Sequence, residues 1–178
     1  AGALTLTGAS GLLADGVKKE GKICFFQRHY LERGNYKDVP RQGEDVGTVR
    51  LFAAGGEYEP AQILVRSQTG ETDVSVTLDE DLRGEGASIE KECLSIRLVA
   101  DQKHWLDTRR FERIPYLLTP NRNFDLKPGQ TERIWISIHV PKDARPGLYT
   151  ANLKASVGGS VAKAIPVELT VWPFELKE

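Results

Sequence analysis

Glu132-Arg133-Ile134-Trp135-Ile136-Ser137-Ile138-His139-Val140-Pro141 is the stretch that decides the fold class. In an extended chain successive side chains point to opposite faces, so Ile134, Ile136, Ile138 and Val140 make one aliphatic face while Trp135, Ser137 and His139 make the other. The aliphatic face is core. The same device returns near the end of the chain, where Ile165, Val167, Leu169 and Val171 alternate with Pro166, Glu168, Thr170 and Trp172. Pro166 has no N–H to give to a ladder, so this strand is expected at a sheet edge or with a bulge at that residue. Shorter runs with period two occur at Thr48 to Ala54, Ala61 to Ser67, Asp73 to Asp79, Leu94 to Ala100 and Tyr149 to Val157, and a less regular one at Ile23 to Tyr30. Eight runs of this kind with almost no helical periodicity predict an all-β fold, a two-layer sandwich of mostly antiparallel strands.

The breaks between runs carry suitable turn chemistry. Ala54-Gly55-Gly56, Gln68-Thr69-Gly70, Lys127-Pro128-Gly129 and Gly158-Gly159 supply positive φ or a preset proline angle. Asp101 to Phe124 lacks alternation and is expected to be a long loop, either functional or packed down as a cover. With 178 residues and neither a repeat nor a linker, the chain is expected to be one domain over residues 1–178. Lys and Arg number 24 against 25 Asp and Glu, so the net charge of −1 gives no field for nucleic acid or an anionic membrane. The opening Ala-Gly-Ala-Leu-Thr-Leu-Thr lacks the layout of a signal peptide, and a cleaved leader would leave the same picture. Cys24 and Cys93 fit no metal motif; they either form a disulfide or serve as small buried apolar groups.

Pro141-Lys142-Asp143-Ala144-Arg145-Pro146-Gly147-Leu148-Tyr149 joins two strands by a turn and puts a tyrosine at the entry to the second. Tyr149 in that place, behind Pro146 and Gly147, is a candidate for the tyrosine corner of immunoglobulin-like sandwiches, expected to be buried with its hydroxyl on the backbone of the preceding turn. This block, with Pro128 to Trp135 upstream, Pro166 to Val171 downstream and Leu51-Phe52-Ala53-Ala54-Gly55-Gly56-Glu57-Tyr58-Glu59-Pro60-Ala61-Gln62 earlier, closely resembles the N-terminal β-sandwich of glycoside hydrolase family 123 and related uncharacterised proteins. The resemblance covers most of Thr48 to Leu176. It implies a following catalytic (β/α)₈ barrel in the same chain that cleaves N-acetylgalactosaminides, with an Asp-Glu pair on the barrel and the substrate's acetamide as nucleophile. No catalytic residue carries over to the present residues, no cofactor is implied, and the location implied is secreted, periplasmic or cell-surface. The end Val171-Trp172-Pro173-Phe174-Glu175-Leu176 leaves apolar residues beyond a strand and suits a junction into that domain.

Sugar binding needs an aromatic face for ring C–H groups and planar polar groups for hydroxyls. Trp105, Asp107, Arg109 and Tyr116 hold both kinds and form the candidate glycan site; the competing account is that Trp105 and Tyr116 pin a loop while the charges face water. Trp135 and His139 share a strand face, which is either an aromatic platform or a second packed face. Asp79-Glu80-Asp81 offers oxygens to calcium but falls short of the six to eight that the ion takes, and reads more simply as a solvated turn. His29, His104 and His139 lie far apart with no nucleophile motif, and no metal site is expected. The reading is an accessory sandwich that neither hydrolyses glycosides nor binds simple sugars tightly; its rivals are a carbohydrate-binding module, an enzyme in its own right, and an immunoglobulin-like structural or adhesion module.

Overall fold

A computed structural model describes residues 23–32, 34–107 and 109–175, with the side chains at 106, 107, 110 and 111 outside that description. Along the chain the strands are β1 (Ile23–Gln27), β2 (Val49–Gly55), β3 (Tyr58–Ser67), β4 (Glu71–Leu78), β5 (Leu82–Gly84), β6 (Ala87–Ile89), β7 (Leu94–Asp107), β8 (Arg110–Pro120), β9 (Phe124–Leu126), β10 (Thr131–His139), β11 (Gly147–Val157) and β12 (Ser160–Glu175). One turn of 3-10 helix, Lys91–Cys93, precedes β7. The first sheet has the order β1-β3-β10-β7-β8 and the second β2-β12-β11-β4-β9, with β5 and β6 added beside β11. Every pairing is antiparallel except β12 with β2. The fold is a two-layer β-sandwich.

The two alternating stretches that announced the fold are its centre. Ile134, Ile136, Ile138 and Val140 from one sheet and Ile165, Val167, Leu169 and Val171 from the other all belong to one buried apolar cluster, none more than 2% exposed. Burying an aliphatic side chain of this size contributes about 1.5 to 3 kcal/mol, so these two rows are a substantial part of what holds the layers together. The turn between β11 and β12 is a two-residue hairpin, Val157 facing Ser160 across Gly158 and Gly159 at φ of 55° and 76°. Positive φ at both central positions matches the right-handed twist of the flanking strands, which is why two glycines stand there.

Pro166 is accommodated in a way the sequence did not anticipate. β12 lies inside its sheet, and the irregularity on the β11 side falls between Ala155 and Ser156 rather than at the proline. Pairing with β2 begins only at Val167 opposite Val49, so at Pro166 the second neighbour has not yet started and no ladder bond is due on that side. A second correction concerns Asp101 to Phe124. Most of it is not a loop but the far half of the long β7–β8 hairpin, whose register slips between Ala100 and Asp101 and again between Trp105 and Asp107. The slips reset which side chains face inward, and Trp105, Tyr116, Leu117 and Leu118 are all exposed, so no period-two signature survives there.

At one end of the sandwich two of the chain's crossings between sheets, β2 to β3 and β10 to β11, lie side by side. The two crossings are bonded together: the Gly56 N–H donates to the Val140 carbonyl at 2.9 Å, and the Val140 N–H donates to the Glu57 carbonyl at 2.9 Å. The Glu57 carboxylate also accepts the Ala54 N–H at 2.8 Å. A Cβ on Gly55 would lie 2.8 Å from the Lys142 carbonyl oxygen. Just beyond, Tyr149 is 2% exposed and its hydroxyl donates to the Arg145 carbonyl at 2.8 Å. Its ring lies so close to β5 that a Cβ on Gly84 would come within 2.9 Å of it. Cys24 and Cys93 are half-buried and are not joined by a disulfide.

Two expectations follow from this corner. Gly55→Ala forces backbone to move and is expected to lower stability by about 1 to 3 kcal/mol in urea unfolding. Tyr149→Phe removes one hydrogen bond at little change of shape and is expected to cost about 1 kcal/mol; an unchanged midpoint and slope would remove the corner bond from the list of stabilising contacts.

Candidate functional site

The outer face of the first sheet is where polar and aromatic side chains gather. Residues 28–32 and 34–45 run over this face as a covering segment, and buried side chains of the sheet bind its backbone. Arg28 is the hub: it donates to both oxygens of Glu44 at 2.8 and 3.0 Å, to the Val39 carbonyl at 2.7 Å, and pairs with Asp38 at 3.0 Å. The Arg28 guanidinium holds the Glu44 carboxyl below its usual range. Arg66 reaches the carbonyls of Asp38 and Gly129, Thr131 donates to the Asp38 carbonyl at 2.7 Å, and Gln62 donates to the His29 carbonyl at 2.9 Å. Gln62 and Arg66 on β3 and Thr131 on β10, all outward positions, are thus buried without being apolar, which is tolerable because each is hydrogen-bonded.

Between this cover and the base of the β7–β8 hairpin lies a cleft of about 300 Å³. Tyr30 stands on the cover side, Tyr116 and Leu118 on the hairpin side, and Gln62, Arg133 and Trp135 form the floor. Trp135 and Tyr30 meet edge-on, with centroids 6.0 Å apart, and the indole N–H is taken by the Ser137 hydroxyl at 3.0 Å. Arg133, with a side chain 4% exposed, forms an ion pair with Asp101, itself 7% exposed. Gly34 lies against this arginine, since a Cβ there would come 2.5 Å from its Nη1.

The four residues singled out from sequence do not share this cleft. Tyr116 lines it, 60% exposed, with His104 tilted against its ring at 5.2 Å. Trp105 is 69% exposed opposite Phe111, nearer the hairpin tip, and Arg109 sits in the turn at that tip; neither lines the cleft. Asp107 ends β7, but its side chain lies outside the described residues. Of the floor residues, Trp135 was read from sequence only as part of a strand face with His139, an aromatic platform or a second packed face, while Gln62 and Arg133 were passed over. Their signal was present: all three are outward positions on strands whose alternate residues are core.

The remaining groups have structural partners. Asp79 pairs with Lys154 at 2.8 Å, and Asp81 accepts the Lys91 N–H at 3.1 Å. His29 stacks on Tyr30 at 4.5 Å and His139 on Tyr58 at 4.3 Å, so the three histidines are spread over three aromatic contacts. Among the described residues no group of three or more His, Cys, Asp or Glu is placed to hold a metal, and no helix is long and apolar enough to cross a membrane.

Burial raises the Glu132 carboxyl above its ordinary range and the nearby Asp101 adds to this, while Arg113, Arg133 and Lys127 oppose it. A carboxyl whose pKa rises on folding holds its proton more tightly in the native state. Its contribution favours the fold at low pH and is lost as pH climbs from the ordinary carboxylate range through the raised value. Glu132→Gln, which cannot ionise, is expected to unfold at higher urea than the parent at pH 7, with the gap closing below about pH 4; a gap independent of pH would mean that the charge is not what differs.

The comparisons with known proteins agree with this architecture. No curated protein matches the sequence. A family 123 glycoside hydrolase from Clostridium perfringens, solved in a study of glycolipid glycan hydrolysis, superposes with a TM-score of 0.65 at 17% identity over 73% of this chain. The match takes in 23% of that longer chain, so the present residues correspond to under a quarter of it. The N-terminal domain of PorA gives a TM-score of 0.39 at 10% identity, covering 85% of this chain and 98% of that one, a likeness too loose to argue from. The sequence profile described as "Glycoside hydrolase 123 N-terminal domain" matches residues 35–156, well over half of the chain and including the later part of the segment that covers the first sheet, the β2–β3 and β10–β11 crossings and the cleft floor. The chain belongs to the glycoside hydrolase 123 N-terminal domain family.

Proposed function

We propose that this sandwich is the non-catalytic accessory domain of a glycoside hydrolase, and that it packs against and supports a catalytic barrel following it in the same polypeptide. The observation that carries the reading is the family match over residues 35–156. Three features of the structure support it. The buried charges are committed to one another and to backbone, Arg28 with Glu44 and Arg133 with Asp101, in the manner of structural ion pairs. The histidines stack on separate tyrosines rather than converging with a nucleophile. The corner bond from Tyr149 and the packed sheets are features that an immunoglobulin-like scaffold would have.

The docking face in this reading is the outer side of the second sheet. Phe52 and Leu148 flank Thr170 in register, and Trp172 and Phe174 continue the same outward row of β12, with their rings stacked at 5.6 Å. These four side chains are 48%, 53%, 42% and 54% exposed. Large apolar groups gathered on one face and left in water mark an interaction surface. The row leads along β12 towards the residues that, in an N-terminal domain, precede the next one.

Two measurements test the proposal. Residues 1–178 are expected to release no chromophore from any glycoside in a chromogenic panel, and turnover that survives repurification would make the domain an enzyme. In the longer protein with its barrel, Trp172→Ser combined with Phe174→Ser is expected to leave the sandwich's own unfolding transition in place while opening the junction to limited proteolysis. Unaltered proteolysis would move the docking face elsewhere.

A further inference from the structure

We infer that the cleft on the first sheet binds the ring of one neutral pyranose. The inference does not rest on the accessory reading, because every residue it uses belongs to the cleft itself. Its lining supplies what a sugar ring needs. Tyr30, Tyr116 and Trp135 offer aromatic surface for C–H groups, Leu118 and the neighbouring Pro115 close the sides, and Gln62 and Arg133 bring planar polar groups to the floor. The volume of about 300 Å³ is at the lower end for ligand pockets, enough for one ring and not for a long oligosaccharide held along its length.

Charge selects among ring-shaped ligands. Arg133 would draw an anion were its charge free, but it is paired with the buried Asp101, and Arg113, which reaches the same carboxylate at 3.8 Å, also has the Glu132 carboxyl beside it. Glu32, at the rim, is paired with Arg41 at 3.3 Å. With both signs neutralised locally, a carboxylated or phosphorylated sugar would give up its hydration and receive no counter-charge in return. A neutral hexose or N-acetylhexosamine loses little by entering. The cover is held firmly by Arg28, Gln62 and Thr131, so the Tyr30 side of the cleft is built before any ligand arrives.

The cleft is shallow and solvent reaches Tyr116, so the expected dissociation constant is on the order of 1 mM, consistent with a domain that does not hold simple sugars tightly. The test is a titration of residues 1–178, followed by NMR, with the methyl glycosides of glucose, galactose, N-acetylglucosamine and N-acetylgalactosamine, and with glucuronic and N-acetylneuraminic acids as charged counterparts. Saturable binding of at least one neutral glycoside is expected. It should weaken tenfold or more in Tyr116→Ala and vanish in Leu118→Trp, which fills the cleft, while Trp105→Ala at the hairpin tip leaves it unchanged. Folding of each variant is read from the same spectra, and because Tyr116 and Leu118 are surface positions on the hairpin the native pattern is expected to persist. No binding of any neutral glycoside at tens of millimolar would overturn the inference. So would preference for the charged sugars, or loss of binding in Trp105→Ala with Tyr116→Ala unaffected. Failure here leaves the accessory reading intact, since that reading is decided by proteolysis of the longer protein.

Discussion

The reciprocal hydrogen bonds between Gly56, Glu57 and Val140 fix how the two sheets sit on one another. A sandwich needs its chain to pass from layer to layer, and each passage leaves backbone groups that neither sheet can satisfy. Here the two passages satisfy one another. The β2–β3 crossing gives its N–H to the β10–β11 crossing and receives one back, while the Glu57 side chain takes the donor at Ala54. Because the crossings are tied, β10 and β12 are held so that their aliphatic rows meet in one cluster. The close approach explains Gly55, where any side chain would meet the Lys142 carbonyl. It also explains why two sequence blocks some eighty residues apart, one around Gly55-Gly56-Glu57 and one from Pro141 to Tyr149, together carry the family resemblance: in space they are a single junction.

A different economy governs the outer faces. The first sheet is covered by a segment with little regular structure of its own, and a segment of that kind brings unpaired carbonyls wherever it is laid down. Arginine meets this need better than an aliphatic residue, because one guanidinium reaches several acceptors at once. Arg28 binds two carboxylates and a carbonyl, and Arg66 reaches two carbonyls. The face therefore stays polar in composition although much of it is buried. The cleft is the place where the cover stops short of the hairpin, and its floor of Gln62, Arg133 and Trp135 is the uncovered remainder of that same face.

What could be read in the sequence was whatever one strand expresses by itself. β10 and β12 alternate cleanly because each keeps one face in the core over a run of four inward positions, Ile134 to Val140 along and just past the end of β10 and Ile165 to Val171 within β12. Tyr149 was legible because a short turn fixes its position relative to Arg145. β5, β6 and β9 are three residues each, too short for any period to register. β8 was missed for another reason: as the edge strand of a hairpin with exposed residues on its outer half it has no buried face to alternate against. Pro166 misled because the rule against proline inside a sheet applies to a ladder position, and the neighbouring strand begins one residue later. The cleft could not be read at all from local pattern, since its walls come from the cover, β3, β8 and β10, and only the pairing of strands brings them together.

The two outer faces differ in a way that bears on what each can bind. On the second sheet Phe52, Leu148, Trp172 and Phe174 form an exposed apolar row. Such a row gains nothing from a small molecule, which could touch one side chain at a time, but gains much from a broad complementary surface that removes all four from water together. The first sheet presents the opposite geometry. Its aromatic groups surround a hollow, its polar groups lie at the bottom of that hollow, and its charges are already paired. Such a site is too narrow for another domain to fill and is suited to a ring that can stack and hydrogen-bond at once. Covering the first sheet with its own polypeptide thus narrows what remains open there to a ligand-sized gap, while among the described residues the outer row of the second sheet stays exposed, as the proposed docking of a neighbouring domain requires.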